Sequence, residues 1–140
     1  MSRLRKIAID DTQEIGVGDN YGKEVILDLH HCDVSKFNRK DIEEFFIEIC
    51  NLIDMKRCAL HWWDDVGVPK ERQQTEPHLK GTSAVQFIST SDIVIHTLDL
   101  LENVYLNIFS CKDFNGDDVK NFAQQYFDGK IVSFHEILRR

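Results

Sequence analysis

The sequence predicts an α+β fold, a two-layer sandwich in which an antiparallel sheet carries two helices packed on one face. Three observations predict it. Short β-branched runs of alternating polarity fill the middle of the chain, most clearly between Ser83 and Cys111. Two other segments carry apolar residues at helical spacing. Strands and helices do not alternate regularly, so the parallel sheet that βαβ units build is not expected. At 140 residues the chain can bury one core unaided, and residues 1–140 read as a single domain.

The elements follow in order. Residues 1–23 hold Gly16, Gly18, Asp19, Asn20 and Gly22, which favour turns, and read as an irregular N-terminal arm. Residues 25–29 alternate as a first strand, closed by His30-His31-Cys32-Asp33. Asn38 with Asp41 three residues on starts a helix whose apolar face is Ile42, Phe45, Phe46, Ile49, Leu52 and Ile53. Residues 57–63 form the second strand, and 64–82 a long polar loop carrying both prolines, Pro69 and Pro77. Strands follow at 83–89, 92–98 and 104–110. A second helix starts near Asn115 or Asp117, carries Val119, Phe122, Ala123, Tyr126 and Phe127 on one face, and ends at Gly129. Residues 131–134 begin a last strand or an extended tail. The sheet face away from the helices is left for a partner or a substrate.

Composition narrows the function. A hydrophobic content of 42% and a charged content of 29% are those of an ordinary globular protein. No apolar run reaches the roughly 20 residues a bilayer demands, and the N-terminus lacks the apolar core of a signal peptide, so a cytoplasmic location is expected, with no membrane partner. The net charge of −7 excludes a basic nucleic-acid surface; the cluster from Arg3 to Lys6 is a solvated terminus. Cys32, Cys50, Cys58 and Cys111 lack metal-type spacing and read as free thiols. The pair His30-His31 and the run His61-Trp62-Trp63-Asp64-Asp65 specify no ligand set, so no metal is expected.

Chemistry concentrates in the central strands, which carry Ser83, Ser91, His96 and Cys111. Serine attacks, histidine moves protons and cysteine donates them. Each also has a plainer reading: a serine at a strand end, a hydrogen-bonded core histidine, a small buried thiol. Trp62 and Trp63 serve equally as packing aromatics.

Taken together, the order strand, His-Cys-Asp, helix, then Ser91-x-x-x-Ile95-His96-Thr97, then Phe109-Ser110-Cys111 before a polar turn resembles the short bacterial form of S-adenosylmethionine decarboxylase over most of residues 24–138. The resemblance implies a proenzyme. Ser91 attacks the carbonyl of Thr90, and elimination cuts the chain into residues 1–90 and 91–140, leaving a covalently bound pyruvoyl group derived from Ser91. His96 and Ser83 are implied to assist processing, Cys111 to be the proton donor of decarboxylation, and Trp63 to stack on adenine. A homodimer is implied; a hetero-oligomer with an active relative is the assembly expected of a non-processing homologue.

Two positions depart from the pattern. Thr90 stands where the family has glutamate. Leu98-Asp99-Leu100 follows the His-Thr pair where the family has Trp-Pro-Glu, whose glutamate holds the substrate's ribose hydroxyls. Leu100 cannot accept those bonds, Asp99 points to the other face of a strand, and Glu102 is the carboxylate a local bend could bring in. The expected function is therefore a pyruvoyl-dependent decarboxylase of polyamine synthesis acting on S-adenosylmethionine. The alternatives are the same chemistry on a basic amino acid such as ornithine or arginine, and a non-processing homologue acting as a binding or regulatory protein.

Overall fold

The computed structural model describes residues 20–140, so the reading of residues 1–19 as an irregular arm lies outside the described residues. Among the described residues six strands form one antiparallel sheet in the order β2-β3-β4-β5-β1-β6. The strands are β1 (Gly22–His30), β2 (Arg57–Trp63), β3 (Gly81–Ile88), β4 (Ser91–Leu98), β5 (Asn103–Ser110) and β6 (Lys130–Arg139). Helices α1 (Arg39–Leu52) and α2 (Gly116–Phe127) complete the α+β sandwich.

Alternation decides which side of the sheet the helices cover. Val25, Leu27 and Leu29 of β1, Ile93 and Ile95 of β4 and Leu106 and Ile108 of β5 are almost wholly buried. They meet Ile42, Phe45, Phe46 and Ile49 of α1 and Val119, Ala123 and Phe127 of α2. Phe45 lies 5.0 Å from Phe127 and 5.6 Å from Phe122, ring to ring, which seams the helices together. Each such side chain contributes roughly 1.5–3 kcal/mol by leaving water. Asn38 and Asn115 start the helices by accepting from the N–H groups of Asp41 (2.9 Å) and Asp118 (3.0 Å).

Several boundaries differ from the sequence expectation, each for a local reason. The first strand begins at Gly22, inside the segment read as an arm, because Gly22 pairs with Arg139 of β6. A Cβ there would run into the Ser110 carbonyl oxygen, so only glycine fits. The tail beyond Gly129 is a ten-residue strand. Helix α2 is closed by Asp128, whose φ is 50°, and not by Gly129. The third strand starts at Gly81 and stops at Ile88, which pairs with Ser91 and leaves Ser89 and Thr90 as a two-residue turn.

Residues 64–80 are clipped at both ends. Arg39 donates two hydrogen bonds to Asp64, at 2.7 and 2.8 Å, and Lys80 pairs with Asp65 at 3.1 Å. The Arg39 guanidinium holds the Asp64 carboxyl below the usual carboxylate range against the opposing effect of burial. The loop is thereby fixed beside the start of β3.

Candidate active site

Two groups of reactive side chains occupy opposite ends of the central strands. At one end the β3–β4 turn delivers Thr90 and Ser91 beside Cys111, the residue after β5. Thr90 adopts a left-handed backbone with φ 50°, which costs a β-branched residue about 1–2 kcal/mol. Ser91 is buried, and its Oγ accepts from the Cys111 N–H at 3.4 Å. Thr90 Oγ1 lies 3.3 Å from Cys111 Sγ. The thiol is held below its ordinary pKa by the hydroxyls of Thr90, Tyr21 and Ser91, with burial pulling the other way. Cys32 and Cys50, buried in the core, are instead pushed up to about 11 by the same loss of water and are inert thiols.

At the other end, Ser83 of β3 and His96 of β4 are directly paired across the ladder, and Ser83 Oγ lies 2.7 Å from His96 Nδ1. Trp63 of β2 pairs with Ser83 from the far side and leaves its indole 80% exposed. Gln74, His78 and Leu79 from the clipped loop join these three around a cleft of about 360 Å³, within the range of small-molecule sites.

Of the residues singled out in the sequence, Ser91, Thr90 and Cys111 are therefore together, and so are Ser83, His96 and Trp63. The two groups are not. Five residues of extended chain from Ser91 to His96 span roughly 16 Å, and odd spacing turns their side chains to opposite faces. Glu102 sits in the turn before β5 with φ 61° and does not line the cleft; its carbonyl accepts from the Cys32 N–H at 2.9 Å. Leu100 is 59% exposed in the same turn. Asp99 turns to the helix side, where its Oδ1 is buried with no hydrogen-bond partner among the described residues. Among those residues no group of three or more His, Cys, Asp or Glu side chains is arranged to hold a metal ion. No helix among the described residues is long and apolar enough to cross a membrane.

Sequence reasoning missed Tyr21, which lines one cavity with Cys111 and whose ring stacks on Phe109. It also missed Gln74 and His78. No periodicity marks a residue just ahead of a strand, and loop residues carry no register.

An α+β sheet with a serine beside a thiol at one end and a hydroxyl–imidazole pair at the other carries on its strands the residue types of acid–base and nucleophilic chemistry. The chain belongs to the S-adenosylmethionine decarboxylase family, which it matches over residues 23–140. It is 25% identical over 122 residues to the S-adenosylmethionine decarboxylase proenzymes of two strains of Clostridium kluyveri, covering 84% of this chain and 86% of theirs. The family is one of decarboxylases.

Proposed function

We propose that the chain is the proenzyme of a pyruvoyl-dependent decarboxylase of polyamine synthesis, cut between Thr90 and Ser91, with S-adenosylmethionine as substrate. The observation that carries this is the β3–β4 turn: a strained β-branched residue directly precedes a buried serine with a thiol alongside. Ser91 Oγ attacks the Thr90 carbonyl carbon, a C–O bond replaces the C–N bond, and the hydroxyl proton passes to the freed amine. Loss of the Ser91 Cα proton then expels the Thr90 carboxylate, and hydrolysis with release of ammonia leaves the pyruvoyl end. The strain at Thr90 is relieved as the amide is lost, which favours the first step.

The residues present fit such a group, since Ser91 is held within reach of Cys111 and water is largely excluded around it. A pyruvoyl group supplies a carbonyl that takes up the substrate's amino group and accepts electrons as carbon dioxide leaves. Cys111 returns the proton to the substrate carbon; a thiol with a depressed pKa is suited to that. Trp63 offers its exposed face to adenine.

One chain supplies only half of such a site. The cavity beside Cys111 has room for about 50 Å³, little more than a water; a cleft of about 400 Å³ around Lys23, Asp113 and Glu136 adjoins it, while the cleft of about 360 Å³ with Ser83, His96 and Trp63 lies at the other end of the strands. The uncovered sheet face, with Phe87 44% exposed, supports pairing with a second copy about a two-fold axis. The Ser83–His96–Trp63 group of one protomer would then meet the Thr90 and Cys111 side chains of its partner.

A second reading keeps the chemistry and changes the substrate to a basic amino acid. Its support is that neither Leu100 nor Glu102 lines the cleft, so no carboxylate there accepts from ribose hydroxyls.

The test is intact mass under denaturing conditions beside Ser91→Ala. We expect fragments 1–90 and 91–140 from the native chain and a single chain from the variant. Carbon dioxide release from S-adenosylmethionine, ornithine and arginine then separates the substrate readings. A native chain that stays whole sinks both and returns the protein to the non-processing, binding or regulatory reading.

A further inference from the structure

The hydroxyls around Cys111 come from two parts of the chain, and they differ in whether they survive the proposed cut. Thr90 belongs to the peptide bond that breaks. Its single proton is also claimed by the Ser89 carbonyl at 2.8 Å, nearer than the sulfur at 3.3 Å. Tyr21 approaches from the other side, ahead of β1. Its N–H donates to the Arg139 carbonyl at 2.7 Å, and its ring stacks on Phe109 with centroids 6.3 Å apart. Tyr21 and Cys111 line one cavity, and there the phenol lowers the thiol's pKa while the thiol raises the phenol's. None of these anchors lies on the peptide that is cut.

We propose that Tyr21 is a positioning residue for decarboxylation, its hydroxyl donating to the Cys111 sulfur so as to aim the thiol and hold the thiolate left after proton transfer. This rests on the reading of Cys111 as proton donor. In that step the S–H bond breaks, a C–H bond forms on the substrate carbon's electron pair, and the sulfur keeps its own pair against the Tyr21 O–H. A phenol that donates to a thiolate lowers the thiol's pKa and raises its own. Both directions are found in this pair. The charged groups nearest the sulfur are already paired. Lys23, lining the same cavity, lies 3.3 Å from Asp113 and 3.7 Å from Glu136, and Lys112 lies 2.8 Å from Asp54. Neutral hydroxyls, Thr90 first and then Tyr21 and Ser91, lower the pKa of this thiol against the opposing effect of burial.

The test is alkylation of Cys111 by iodoacetamide against pH in the full chain. Ser91→Ala keeps the chain whole and Cys58→Ser removes the exposed competing thiol. Tyr21→Phe keeps the ring on Phe109 and should raise the alkylation midpoint by about half a unit or more. An unchanged midpoint overturns the proposal. Cys111→Ala reads the same bond from the other side: the Tyr21 phenol, followed by NMR of its labelled ring, should titrate at lower pH, and no shift there also overturns it. In the cut enzyme Tyr21→Phe should lower kcat and move its pH profile upward with KM little changed. A native chain that never cuts sinks the enzyme reading and leaves the midpoints to be read. Unchanged midpoints in a chain that does cut sink the role of Tyr21 alone.

Discussion

Thr90 concentrates backbone strain at one angle, and replacing it separates stability from reactivity. Thr90→Gly, made in the uncut Ser91→Ala chain, should raise stability by about 1 kcal/mol in urea melts, since glycine adopts the left-handed region freely. In the native chain the same change should slow cleavage, because the relieved amide starts lower. Asp99 gives a prediction of the opposite kind. Burial raises its carboxyl above the ordinary value, Lys80 opposes this and Asp65 adds to it. The folded chain therefore holds that proton more tightly than the unfolded one, and stability falls as pH rises from about 4 through the raised value. Asp99→Asn should raise the melting temperature at pH 7, and the gain should disappear at pH 3. The spacing of Ser83, Ser91, His96 and Cys111 was legible because strand alternation is written in single residues. Tyr21 was not, since its meeting with Cys111 depends on the pairing of Lys23 with Ser110, a contact between distant segments.

At the level of elements, both helices could be read from their caps and apolar stripes, because those signals are local. The β2 edge could not. Its register shifts between Arg57 and Leu60, and a fully buried side chain from β3 repairs the defect. Gln86 Nε2 lies 3.1 Å from the Cys58 carbonyl, 3.2 Å from that of Ala59 and 2.9 Å from that of Phe87, while its Oε1 accepts from Arg57 at 2.8 Å. A glutamine in an alternating strand looks polar and outward. Here it is the partner that a bulge demands. Gln86→Leu should cost about 2–3 kcal/mol in urea melts, more than the loss of one exposed bond, because it removes the shared partner of three carbonyls and leaves the Arg57 guanidinium with Glu43 alone. As β2 carries Trp63, the variant should also weaken substrate binding more than it slows cleavage.

For the whole molecule, the separation of the two reactive groups makes complementation the informative experiment. A chain with His96→Ala and a chain with Cys111→Ala should each fail alone. Mixed as they fold, half of the dimers pair unlike chains, and each such dimer holds one intact site. Roughly a quarter of native activity should return. If none returns while mixed dimers are shown to form, the shared-site arrangement is wrong. The strand order carries a further consequence. A break in the β3–β4 turn divides the sheet so that one fragment owns β2, β3 and β1 while the other owns β4, β5 and β6. Because β1 lies between β5 and β6, the fragments interlock like clasped fingers, and neither can leave by peeling from an edge. The severed molecule would stay in one piece on dilution, and parting its halves would require unfolding it.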